Sequence, residues 1–203
     1  MLEKLKNLKF FKRDRDLKKS TKILLVTNSL ILISAWMIAP IYAVYVEKIG
    51  WDLMDASIAL GLFALAAWIV TLLSWKYVDE AKNKTLIIVV WYLLMASWFF
   101  LYTVADSVIF LFAIQVLIWI WEAIYSPAFD ALYWSTLRAS QKWLGWWIWE
   151  FMNYLTMAMW AFTWWLIIKF LGFNAIFISM WLLSLFSACY LYYVSLWNKC
   201  ELK

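Results

Sequence analysis

The sequence predicts an all-α integral membrane protein with six transmembrane helices, and three observations predict it. Hydrophobic residues make up 67% of the chain and charged residues only 15%, against roughly 25% charged in soluble domains. The charges cluster at intervals and leave neutral runs at 23–46, 56–75, 85–105, 151–168 and 170–198. Each reaches the length of about 18 residues that marks a spanning helix. None of these runs alternates as the strands of a membrane β-barrel would. A helix also satisfies its own backbone in lipid, where no water is at hand to do so.

Taken in order, residues 1–22 form a basic cytoplasmic segment with nine Lys or Arg. Leu2, Leu5, Leu8 and Phe11 recur there at a spacing of three. That spacing leaves two readings open: an amphipathic helix on the anionic inner leaflet, or a basic tail that only fixes topology. The transmembrane domain spans 23–198. Its helices are expected at about 23–46, 55–76, 85–105, 107–132, 146–169 and 173–197. Pro40 and Pro127 are expected to bend the first and fourth. Near-turns at Asp106 and at Leu171, Gly172 and Phe173 make sequential helices antiparallel neighbours. Residues 199–203 form a short tail. No loop has room for a soluble catalytic domain.

Charge sets the orientation. If the N-terminus is cytoplasmic, Lys76, Lys82, Lys84, Arg138, Lys142, Lys199 and Lys203 join it on the inside, and only Lys48 and Lys169 fall outside. The positive-inside rule therefore places both termini in the cytoplasm of a multi-pass protein of the cell membrane. The same location explains the net charge of +5 without nucleic acid as a partner. The chain has no histidine, which disfavours a histidine-ligated metal or haem and removes the Ser/His/Asp constellation. Cys189 and Cys200 match no metal or redox spacing. No cofactor, metal site or enzymatic activity is expected.

Glu122 is the residue of greatest interest. It falls near the middle of the fourth span, where a charge costs about 2.5–3.5 kcal/mol on insertion scales. Gln115, Glu122 and Ser126 lie within about 40° of one helical face. The functional reading is a polar stripe along a cavity, with Glu122 as a substrate or proton site. The bland reading is a protonated acid hydrogen-bonded between helices. Asn28 and Asn153, with Tyr154, are further candidate cavity liners, or else partners in interhelical hydrogen bonds.

Three segments carry a family resemblance. Ser74-Trp75-Lys76-Tyr77-Val78-Asp79 resembles the loop signature between helices 2 and 3 of the major facilitator superfamily, with Asp79 at the signature's Asp and Trp75 at its Gly. The segment from Gln115 to Glu122 resembles the helix 4 motif, with Gln115 at its Arg and Trp119 and Trp121 at its two glycines. Trp160-Ala161-Phe162-Thr163-Trp164-Trp165 resembles the helix 5 pattern, with tryptophan at its three glycines and Ala161 at its Pro. Glu80 stands where the loop signature has a basic residue, and Lys82 stands at its second Gly. The resemblance covers roughly 20–198. It implies one six-helix half of a secondary transporter that moves a small solute by alternating access. The half would pair with a copy of itself or with a second half-chain. It further implies a cytoplasmic gate of Asp79, Lys76, Asp130, Arg138 and Glu150; solvated loop charges are the alternative. A non-transporting six-helix scaffold or assembly protein, or a fragment of a longer transporter, is the competing functional expectation.

The composition is odd in the same places. The chain has 18 Trp and 4 Gly, whereas spanning helices ordinarily use glycine freely. Tryptophan stands at six positions where the family has glycine. Small residues there let helices approach closely, and an indole overpacks such a contact. Some bacterial lineages read the UGA codon as glycine. The expectation is that many of these tryptophans are UGA codons rendered as Trp, against the alternative of a natively Trp-rich protein.

Overall fold

The computed structural model describes residues 17–39, 42–48, 50, 52–81, 83–105 and 107–197. Helices fill the neutral runs, and no strand occurs among the described residues. The helices are α1 (Lys19–Ile38), α2 (Tyr42–Lys48), α3 (Leu53–Glu80), α4 (Lys84–Leu101), α5 (Val108–Thr136) and α6 (Lys142–Trp197). Short 3-10 turns at Tyr102–Val104 and Ala139–Gln141 follow α4 and α5. Two helix starts are capped by the residue types that favour such positions. Asn83 Oδ1 accepts from the Leu86 N–H at 3.1 Å, and Ser107 Oγ accepts from the Phe110 N–H at 3.3 Å.

Two boundaries differ from the sequence expectation. The run 23–46 is carried by two helices, α1 and α2. Pro40, in the sequence between them, lies outside the described residues; a proline offers no N–H to continue a helix. The fifth and sixth expected spans form the single run α6, broken at Gly172 (φ 77, ψ 176). Only glycine readily adopts that backbone conformation. The break divides α6 into α6a (142–171) and α6b (173–197).

Side-chain contacts fix the topology. Thr21 meets Thr136 (2.9 Å between hydroxyls) and Asn28 meets Tyr125, so α1 and α5 are antiparallel. Tyr92 meets Tyr125 and Tyr102 meets Gln115, so α4 and α5 are antiparallel as well. Ser29 touches Met152 on α6a, while Thr27 accepts from Ser187 on α6b. Thr27 and Ser29 are neighbours on α1, so both arms reach the same level and the chain reverses at Gly172. Helix α3 packs along α5, with Phe63 against Phe112 at 5.0 Å. Gly145 admits the start of α6 against the end of α5. A Cβ there would collide with the Leu137 side chain, and the Tyr133 hydroxyl donates to the Gly145 carbonyl at 2.8 Å.

The burial pattern is turned outward. Thr21, Thr27, Asn28, Ser34, Ser184 and Ser187 are buried, while Met54, Trp68, Leu73, Trp143 and Phe162 are exposed. Contiguous apolar exteriors of this kind mark membrane or partner contact. Four helical stretches are long and apolar enough to cross a bilayer: Lys19–Ile38, Lys84–Val104, Ile109–Thr136 and Trp165–Leu196. Leu60–Ser74 adds a shorter apolar stretch within α3. The described residues are therefore all-helical, with four stretches long and apolar enough to cross a membrane.

Gly172→Ala is expected to lower stability by about 1–3 kcal/mol, because alanine must adopt a backbone region that is nearly glycine's alone. Thermal melting in detergent checks this. An unchanged midpoint would mean that the reversal does not depend on that conformation.

Candidate functional site

Polar and aromatic contacts join the helices near both ends of the bundle. At one end Thr21 and Thr136 pair, and Tyr133 reaches Gly145. At the other, Tyr45, Tyr102 and Phe177 pack together, with ring centroids of Tyr102 and Phe177 5.2 Å apart. Between these ends lies a cavity of about 260 Å³.

Helix α5 supplies half of the lining residues. Ile118, Trp119, Glu122, Tyr125, Ser126, Phe129 and Asp130 line the cavity, at the three-and-four spacing that keeps side chains on one helical face. Helix α1 adds Asn28, Ile31, Leu32 and Ala35 at the same spacing. Helix α4 adds Trp91 and Met95, and α6a adds Trp149. Glu122 sits at the centre of α5, so the carboxylate is held midway along the bundle.

A hydrogen-bond chain fixes one side of this cavity. The Tyr125 hydroxyl donates to Asn28 Oδ1 at 2.8 Å. Its single hydrogen is thereby committed, so Tyr92 is the donor in the 3.3 Å contact between the two phenols. Trp91 stacks flat on Tyr125, with centroids 3.7 Å apart and planes 8° from parallel. Thr27, one residue before Asn28, is tied through its carbonyl to Ser187 Oγ at 2.8 Å. The wall is thus braced from α4 and α6b, which holds the asparagine in place. Pro127, between Ser126 and Ala128 in α5, carries no N–H for a helical bond, which loosens the backbone beside the cavity.

The structure brings four of the expected residues together. Asn28, Glu122, Ser126 and Asp130, the last assigned to the cytoplasmic gate by the family resemblance, line one cavity. Two others sit elsewhere. Gln115 is buried and donates through Nε2 to the Tyr102 hydroxyl at 2.8 Å, one end away from Glu122. Asn153 accepts from Trp36 Nε1 at 2.8 Å and braces α1 against α6a. Of the remaining gate residues, Arg138 is exposed beyond the end of α5, and its carbonyl accepts from the Gln141 N–H at 2.8 Å. Glu150 is half-buried on α6a. The side chains of Lys76 and Asp79 lie outside the described residues. Sequence reasoning missed Trp91, Tyr92, Tyr125 and Phe129. Tyr125 and Phe129 follow Glu122 by three and seven residues, so the spacing that found Ser126 could have found them. Trp91 and Tyr92 carried no such signal, because only tertiary packing brings α4 against α5.

Comparison of the chain with known protein families, curated proteins and solved structures finds no match.

Tyr125→Phe is expected to cost about 1 kcal/mol, since Asn28 Oδ1 and the Tyr92 hydroxyl each lose a partner in a dry interior. A melting shift no larger than that of an exposed control substitution would mean that the chain of bonds does not brace the wall.

Proposed function

We propose that this chain is a six-helix bundle of a facilitator-type secondary transporter, with the mid-bundle cavity as its solute site. The observation that carries the reading is the meeting of Glu122, Ser126, Asp130 and Asn28 in one cavity halfway along helices apolar enough to cross a membrane. A carboxylate at that depth is costly unless it meets water, a partner or a passenger. Transport sites of such folds lie near the bilayer midplane and are exposed to each side in turn by rocking of one bundle against another. Ser126 and Asp130 are exposed at the cavity's edge. A second bundle, whether a copy of this chain, a further half-chain or more of the same polypeptide, would close that side. The charge distribution supports cytoplasmic termini in the cell membrane. The loop-signature acid Asp79 and the basic residues Lys76 and Arg138 are proposed to act at the cytoplasmic ends.

Ser126→Cys in a chain whose Cys189 and Cys200 are replaced by alanine tests the reading. Reconstituted in vesicles, the new thiol is expected to react with an impermeant maleimide added to either face. A solute panel is expected to reveal flux that this labelling blocks. Labelling from neither face, together with no flux, would overturn the proposal.

A further inference from the structure

We propose that the mid-bundle cavity takes a small organic cation, a solute of about one ring carrying an ammonium or comparable positive charge. The physiological meaning rests on the transporter reading, whereas the chemistry rests on the cavity.

The sign of the charge comes first. Glu122 and Asp130 both line the cavity, and no Lys or Arg is among its lining residues. They stand on one stripe of α5, about 12 Å apart along the axis. An anion would meet two like charges with nothing to offset them. A phospholipid headgroup is disfavoured on the same ground, because its phosphate finds no base. A neutral solute would be taken only with Glu122 protonated, whereas a cation compensates the ionised carboxylate directly.

The walls fit the same ligand. Tyr125 and Trp91 form a stacked pair, and aromatic faces attract cations through the ring quadrupole. Trp91 is only 3% exposed, so its ring is held firmly in the wall. The volume of about 260 Å³ lies just under the roughly 300–1,000 Å³ of drug-sized pockets. Trp119, one of the positions where glycine is proposed, contributes only wall area.

The test uses the full chain in detergent and three probes of similar size: benzyltrimethylammonium, benzenesulfonate and benzyl alcohol. Calorimetry is expected to show saturable binding of the cation alone. Glu122→Gln and Asp130→Asn are each expected to weaken it by about tenfold or more, and the double variant to abolish it. Equal or tighter binding of the sulfonate or the alcohol would overturn the proposal. So would unchanged cation binding in the double variant. The probe comparison is made on the unaltered chain, so a variant that fails to fold does not shield the idea. Saturable cation binding without flux in vesicles would uphold the site and overturn the transporter reading. Flux of an anionic or neutral solute without cation binding would do the reverse.

Discussion

Glu122→Gln is expected to reduce solute flux in reconstituted vesicles to background and to remove its dependence on pH, while leaving the fold as stable as before or more so. The substitution keeps size and hydrogen bonding and removes only the charge and its titration. A charge in mid-span costs about 2.5–3.5 kcal/mol, so removing one that is held there for function should not lower stability. The groups gathered with Glu122 are Asp130 on the same stripe, Tyr125 on the neighbouring turn, and Tyr92 across the interface through its bond to Tyr125. Asp130 keeps its own charge in the variant, so a residual cation affinity is compatible with lost coupling. Opposite movements of stability and flux would mark a functional acid, because sites adapted to function are commonly held at the expense of stability. Flux with an unaltered pH profile would remove Glu122 from any coupling role. A marked loss of stability would point instead to a protonated acid bonded between helices.

Replacing the suspect tryptophans is expected to have the second large effect, and its sign decides the case. Trp121 and Trp160 are half-buried against the core, and Trp119 lines the cavity. If these residues are native, Trp160→Gly removes a packed indole and should destabilise by about 3–5 kcal/mol, as large-to-small core changes do. If glycine is the encoded residue, the same change restores a small-residue face on α6a, where helices approach more closely, and stability is expected to hold or rise. We propose the second outcome. Peptides from the protein made in its own source, covering 115–122 and 160–165, are then expected to carry glycine at 119, 121, 160, 164 and 165. Tryptophan at all five would end the proposal and leave the natively Trp-rich protein as the explanation.

How much was legible beforehand is seen in particular residues. The neutral runs around Asn28 and Gly172, and the apolar stretch that Glu122 interrupts, announced the helices, since apolar length and the spacing of charges are local properties of the chain. The helical period also placed Glu122 and Ser126 on one face. The period could not tell how far that face extends. It included Gln115, which packing ties instead to Tyr102 at one end of the bundle. It did not single out Asp130, which the family resemblance assigned to a gate and which in the fold lines the cavity.

By itself, the order of residues determined helical rods apolar enough to cross a membrane, their approximate ends, and an acid placed midway along one of them. Each follows from local chemistry: neutral length, backbone self-satisfaction and the helical period. Tertiary structure alone decided which rods touch. It set α1, α4 and α5 around one cavity, laid Trp91 on Tyr125, joined Tyr125 to Asn28, and turned Asn153 toward Trp36 rather than inward. Those pairings join residues far apart in the chain. They depend on how side chains of different helices fit against one another, which no local pattern records.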